Sequence, residues 1–219
     1  MTFANRTEAG RGLAERLEKY AKRDNVIVLG IPRGGVPVAF EIAEALKAPL
    51  DVFLLRKLGV PGHEEFAFGA IASGGVRVID RHTLQTLALT GADVEAVMAR
   101  ERRELGRRET AYRDGRPALR VAGQIAILVD DGVATGASLL AGIHALRQLK
   151  PSRIVAAVPV APPAACKQLA REVDEFVCIL APEEFHAVGE FYTDFSQVSD
   201  EAVIEMLARN QRAFVRNAA

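Results

Sequence analysis

At 219 residues the chain has the length of one domain, with room for a small appended lobe, and its 49% hydrophobic content is enough for a sizeable core. Its 28 basic residues balance 28 acidic ones, which argues against a broad nucleic-acid-binding surface. No apolar run approaches the roughly 20 residues of a membrane span, and the start Met1-Thr-Phe-Ala-Asn-Arg has no apolar signal core.

Cys166 and Cys178 stand in apolar settings without metal-ligand company, where free cysteine behaves as a small hydrophobe. A soluble, reduced, cytoplasmic protein is expected. Residues 7–22 carry Leu13, Leu17 and Tyr20 at helical spacing after Thr7, the expected cap. Val26-Ile-Val-Leu-Gly30 reads as a buried strand. Ile31-Pro-Arg-Gly-Gly-Val-Pro37 then leads into a helix through about Leu46, with Pro37 suited to its first turn. Gly34 and Gly35 allow a backbone to approach a ligand closely, and Arg33 adds a fixed cation. The same stretch also reads as an ordinary tight turn with a surface arginine.

Asp51-Val-Phe-Leu-Leu55 is the next expected strand, with Arg56 and Lys57 directly after it. A Gly- and Pro-rich run, Leu58 to Glu65, precedes Phe66–Ala72, which turns at Ser73-Gly-Gly75 and pairs with Val76–Ile79. His63, Glu64 and Glu65 at its tip are expected to be solvated. From Asp93 to Tyr112 the pattern is a helix with Val94, Met98, Leu105 and Tyr112 on a narrow stripe. Opposite charges three or four apart, such as Glu104 with Arg107 and Arg108, mark its other faces as exposed.

The most informative stretch is Ile125-Ala-Ile-Leu-Val-Asp-Asp-Gly-Val-Ala-Thr-Gly-Ala-Ser138. Five apolar residues make a short buried strand, and Asp130 and Asp131 stand at its carboxyl end. A small-residue turn, Ala134-Thr135-Gly136-Ala137-Ser138, opens a helix to about Leu149. In an open α/β sheet ligands sit at the carboxyl ends of strands. A turn entering a helix offers free N–H groups and a positive dipole end to an anion. Phosphate donors beside two carboxylates suit a phosphorylated sugar.

This stretch resembles the phosphoribosyl-diphosphate (PRPP) signature of type I phosphoribosyltransferases, and it lacks the Gly-Lys-Ser/Thr ending of an ATP-binding P-loop. The resemblance runs in element order from about Val26 to Leu180. It is continued by Arg153–Val160, by a helix that Pro162-Pro163 open and that runs to about Glu172, and by the strand Glu175–Leu180. The alternation implies a doubly wound, mainly parallel sheet flanked by helices. One domain is expected over 1–219, with a core at about 26–180 and a small hood from about 1–22 and 181–219.

In that family Arg33-Gly34-Gly35 resembles the loop that holds pyrophosphate, often in a strained, sometimes non-proline cis, conformation. Lys57 or Arg56 is implied to meet the departing pyrophosphate, and the segment after them to form a mobile loop that excludes water. The tail Phe185-His-Ala-Val-Gly-Glu-Phe-Tyr-Thr-Asp-Phe195 is dense in aromatics. Phe185, Phe191, Tyr192 and Phe195 are candidates for an acceptor wall or, equally, for a seal between tail and sheet.

The resemblance implies displacement of pyrophosphate from C1 of PRPP by a nitrogen acceptor of nucleobase type. Asp130 and Asp131 would orient the ribose hydroxyls and touch Mg²⁺ only through substrate or water. Thr135, Gly136, Ala137 and Ser138 would hold the 5′-phosphate, with Ala134 giving at most a backbone N–H. Hypoxanthine-guanine members carry an acid where this chain has Ala134, so assignment to that branch fails. No general base stands out. Self-association is implied because family members commonly pair; nucleic acid and membrane are not expected partners. A PRPP-binding regulator and a hydrolase of a phosphorylated sugar or nucleotide stay open as alternatives.

Overall fold

The computed structural model describes residues 2–118 and 120–218, with backbone alone for residues 64, 65, 81 and 215–218. The first helix, α1 (Arg6–Arg16), is capped by Asn5 and not by Thr7: the extended Asn5 lets its side chain accept the Glu8 N–H. Strand β1 (Val26–Gly30) is buried on both faces, as a parallel strand covered by helices must be. Helix α2 (Gly35–Leu46) follows with Pro37 in its first turn.

The strand expected over Asp51–Leu55 is shorter. It is β2 (Leu50–Val52), and by Leu54 the chain has left the ladder. Phe53 N–H still donates to the Gly30 carbonyl at the end of β1, and Leu54 N–H donates instead to Ser73 Oγ, which turns the chain away. Arg56 and Lys57 therefore do not follow a strand but sit inside one, β3 (Leu55–Val60). It pairs antiparallel with β4 (His63–Ala72), which pairs with β5 (Val76–Ile79), giving a separate three-stranded arm. A short helix, α3 (Arg81–Thr86), then leads to α4 (Gly91–Arg113), whose Thr90–Asp93 capping box sets its start.

Strands β6 (Ile125–Val129), β7 (Arg153–Val160) and β8 (Glu175–Leu180) alternate with helices α5 (Ala137–Gln148) and α6 (Pro163–Ala170). Helix α7 (Asp200–Ala218) closes the chain. The main sheet has the order β2-β1-β6-β7-β8, and every pairing in it is parallel. Alternate residues feed two cores. Val28, Ile127 and Ala157 pack toward α1, α2, α4 and α7; Leu29, Leu128 and Ala156 pack toward α5 and α6. The sheet is thus doubly wound and parallel, flanked by helices on both faces.

Because each strand is sealed on both sides, truncating Ile127 or Leu128 to alanine would leave a hole costing about 2–5 kcal/mol. The chain leaves β1 toward β2 and returns to β6 on β1's other side. The crevice at the carboxyl ends of β1 and β6 is therefore the topological switch point, where open α/β sheets bind ligands. Cys166 and Cys178 are partly buried, and burial pushes the Cys178 thiol up to about 12, which suits packing rather than nucleophilic chemistry. Among the described residues no helix is long and apolar enough to cross a membrane.

Candidate active site

The parallel register of β1 and β6 runs to Gly30 opposite Val129, and Ile31 N–H donates to the Val129 carbonyl at 2.9 Å. That alignment lays the turn Ile31–Gly35 directly against Asp130 and Asp131. A Cβ on Gly34 would stand 2.0 Å from Asp131 Oδ2, and one on Gly35 would stand 2.6 Å from the Val129 carbonyl oxygen. Only glycine lets the turn and the acids come this close. The Pro32–Arg33 peptide bond is cis. The Arg33 side chain leans toward helix α7, with its guanidinium 3.9 Å from Asp200 Oδ1.

Asp130 is half-buried, and its Oδ1 accepts the Asp131 N–H at 2.9 Å. Burial, and then the adjacent Asp131 charge, push the Asp130 carboxyl well above the usual range. Asp131 is held differently. Its Oδ2 receives both Nε and Nη2 of Arg6 at 2.8 Å, and its backbone carbonyl accepts the Tyr192 hydroxyl. Beyond the acids, Gly136 has φ +83° and turns the chain into α5. Ala134, Thr135, Ala137 and Ser138 are exposed around it. Amides at the positive end of the α5 dipole suit an anion, and the Ala137 N–H meets Thr135 Oγ1 at 3.4 Å.

Comparison with known proteins bears on this geometry. The family model for the phosphoribosyl transferase domain matches residues 4–195. The chain belongs to that family.

Two Mycobacterium tuberculosis proteins, from strains CDC 1551 and H37Rv, are provisionally named phosphoribosyl transferases. Each is 45% identical to this chain over 212 residues, covering 97% of it and 48% of the relative. The chain thus spans about half the length of those curated relatives. The crystal structure of TT1426 from Thermus thermophilus shares 43% identity with a TM-score of 0.84, covering 95% of this chain and 99% of that one.

In this phosphoribosyl transferase domain Arg56 and Lys57 line a cleft of about 890 Å³ together with Ala137 and Ser138 of the turn into α5. Lys57 is exposed and has no ion-pair partner among the described residues. Arg56 is not free: Glu101 of α4 holds it through Nε at 2.8 Å and Nη2 at 2.6 Å. Glu101 is buried and also takes Arg100 at 2.9 Å, so the expectation of an all-solvated charged face on α4 fails at this residue. It holds at Glu104, which pairs with Arg107 and Arg108 at the surface. His63 is exposed, as expected for a tip residue; the Glu64 and Glu65 side chains lie outside the described residues.

The tail aromatics separate into two groups. Phe185 and Phe191 stack with centroids 5.3 Å apart and stay partly open. Tyr192 is buried against Phe3 and supports Asp131 from behind, and Phe195 lies under the Arg6 guanidinium at 3.9 Å. Two residues, Arg6 and Glu101, escaped the sequence reading. With the cap read at Thr7, Arg6 stood outside the helix; only the Asn5 cap makes it the first helical residue, where a cation opposes the dipole. Among the described residues no group of three or more His, Cys, Asp or Glu could hold a metal. Two carboxylates, one of them paired with arginine, fit a cation held mainly by substrate oxygens and water.

Proposed function

We propose that this domain transfers the 5-phosphoribosyl group of PRPP to a nitrogen acceptor of nucleobase type, releasing pyrophosphate. One observation carries the reading: the Gly34-Gly35 turn, the two aspartates and the exposed phosphate turn converge at the switch point of the sheet. The amides from Thr135 to Ser138 bind the 5′-phosphate. The backbone of Arg33, Gly34 and Gly35 takes the pyrophosphate, and Lys57 reaches it from the arm. Asp130 and Asp131 accept the ribose hydroxyls and stabilise positive charge that develops on the ring as the C1–O bond breaks.

Holding nucleophile and C1 in line supplies much of the remaining acceleration. Mg²⁺, when bound, would neutralise pyrophosphate charge, with Asp130 and Asp131 holding it through water or substrate. The open Phe185–Phe191 pair is the acceptor wall in this reading. A hood drawn from about 1–22 and 181–219 over a core at 26–180 fits the backbone pairing of Phe3 with Tyr192, while α1 and α7 pack into the sheet's own core.

The test is pyrophosphate release from PRPP and Mg²⁺, with and without a pool of purines, pyrimidines and small amines. Acceptor-dependent release is the expected result. Release without acceptor would replace the transferase by a hydrolase, and binding without release would replace it by a sensor.

A further inference from the structure

We propose that Arg6 is a positioning residue for Asp131, clamping one carboxylate oxygen so that the other is presented to the ribose hydroxyls; this rests on the transferase reading above. Arginine at the first position of α1 meets the positive end of that helix, so its placement needs a compensating anion. Asp131, 125 residues away, supplies it. Both Nε and Nη2 land on Oδ2, and Oδ1 takes neither. An unclamped aspartate would rotate between equivalent orientations. This one cannot without breaking two charge-assisted bonds.

The guanidinium itself is fixed from three sides. Nη1 donates to the Ser196 carbonyl at 2.9 Å, the Phe195 ring lies 3.9 Å beneath it, and the side chain is only 11% exposed. Its backbone is tied as well. Phe3 N–H donates to the Phe191 carbonyl at 2.8 Å, Thr193 N–H to Phe3 at 2.8 Å, and Asp194 N–H to Ala4 at 2.9 Å. The segment before α1 and the tail after β8 therefore form one strap. It grips Asp131 by its carboxylate through Arg6 and by its carbonyl through Tyr192.

This arrangement links the tail to the acid. Phe191, in the acceptor wall, precedes Tyr192, and Phe195 carries Arg6. Arg6 also places a positive charge beside two adjacent carboxylates, opposing the rise at Asp130. The rival role is a lock, in which Arg6 must leave Asp131 before PRPP can enter. The two roles predict opposite signs.

The experiment is a double-mutant cycle of Arg6→Ala and Asp131→Asn, with Arg6→Lys as the conservative variant and PRPP kinetics as readout. Arg6→Ala is expected to lower kcat/KM for PRPP by about 10- to 100-fold. Arg6→Lys should recover part of that loss, and in the Asp131→Asn background Arg6→Ala should add less than about twofold. Additive losses, or tighter PRPP binding by Arg6→Ala, would overturn the proposal; the second result would make Arg6 a lock.

If the wild-type chain neither binds nor turns over PRPP, the transferase reading has failed, and the clamp is still testable in the free protein. A crystal structure of each free protein should show the Asp131 carboxylate leaving its single orientation in Arg6→Ala and keeping it in Arg6→Lys. One unchanged Asp131 orientation in all three proteins would overturn the clamp.

Discussion

The carboxyl edge of the parallel sheet and the antiparallel arm both present arginine–carboxylate pairs to the site, but they restrain them differently. At the sheet edge, β1 and β6 stay in register up to Gly30 and Val129, and both strands are buried on both faces. The acids there inherit their position from the backbone, and Arg6 refines it. In the arm, β3 and β4 shift register between Leu58 and Gly59 and again between Gly59 and Val60, and β4 exposes Phe66 at 68%. Arg56 is held by Glu101 of α4, a side-chain tether and not a ladder. The sheet edge is built to fix atoms, and the arm to bring cations near them.

The largest effect should come from the sheet edge. Asp130→Asn with Asp131→Asn keeps shape while removing both negative charges, and kcat/KM should fall by about 10³-fold or more. The arm has no counterpart of that size. PRPP binding and turnover that both persist in the double variant would show that these acids do not meet the substrate. Next comes Gly35→Ala, whose Cβ would meet backbone at 2.6 Å and 2.9 Å, neither of which can give way without moving β6. It should destabilise by about 1–3 kcal/mol and weaken PRPP binding. Gly62 in the arm's hairpin has open space around its Cβ position, so Gly62→Ala should leave PRPP binding intact even though its φ of +77° makes alanine unfavourable there. Equal losses of PRPP affinity in both variants would erase the contrast.

Much of this contrast was legible in the sequence, and the parts that were not share a cause. Val26–Leu29 and Ile125–Val129 announce themselves as runs of four and five apolar residues closed by a glycine or an acid, and the small-residue turn after Asp131 suits an anion at a helix start. The end of β2 was hidden because Leu54 is as buried as a strand residue while bonding to Ser73. Hydrophobicity reports burial, not ladder membership. Asn5 outcompetes Thr7 through a local conformation that two equally good cap residues do not distinguish. The Arg6–Asp131 and Arg56–Glu101 pairs join residues 125 and 45 positions apart, with no periodicity to connect them. Such pairs become visible only once the sheet order brings their elements together.

Glu101→Gln tests the tether. Neutralising a buried carboxylate that holds both Arg56 and Arg100 should cost about 1–3 kcal/mol of stability in denaturant unfolding. Its effect on kcat should be smaller than its effect on KM, because Arg56 would still be on β3 but no longer aimed. A kcat loss as large as that of the aspartate variants would make the arm part of the fixed chemistry and dissolve the distinction.

The smallest effect is a slope rather than a loss, and its sign separates the two regions. Asp130 is held well above the ordinary aspartate value, so in the range between the two the folded chain binds more protons than the unfolded one. Its contribution is present at low pH and disappears as pH rises through the folded value. Urea midpoints of wild type measured against Asp130→Asn should therefore decline with rising pH across that window. Glu104, paired with Arg107 and Arg108 on α4, is pulled down to about 2. It contributes above its ordinary range and loses that contribution as pH falls toward 2, so wild type against Glu104→Gln should rise with pH. Solvent screens that surface pair, and its slope should be shallow and shrink in salt. Parallel curves for wild type and Asp130→Asn would mean that Asp130 is not destabilised by its surroundings. The Arg6 cation would then relieve the crowding of the two acids more fully than the raised Asp130 implies.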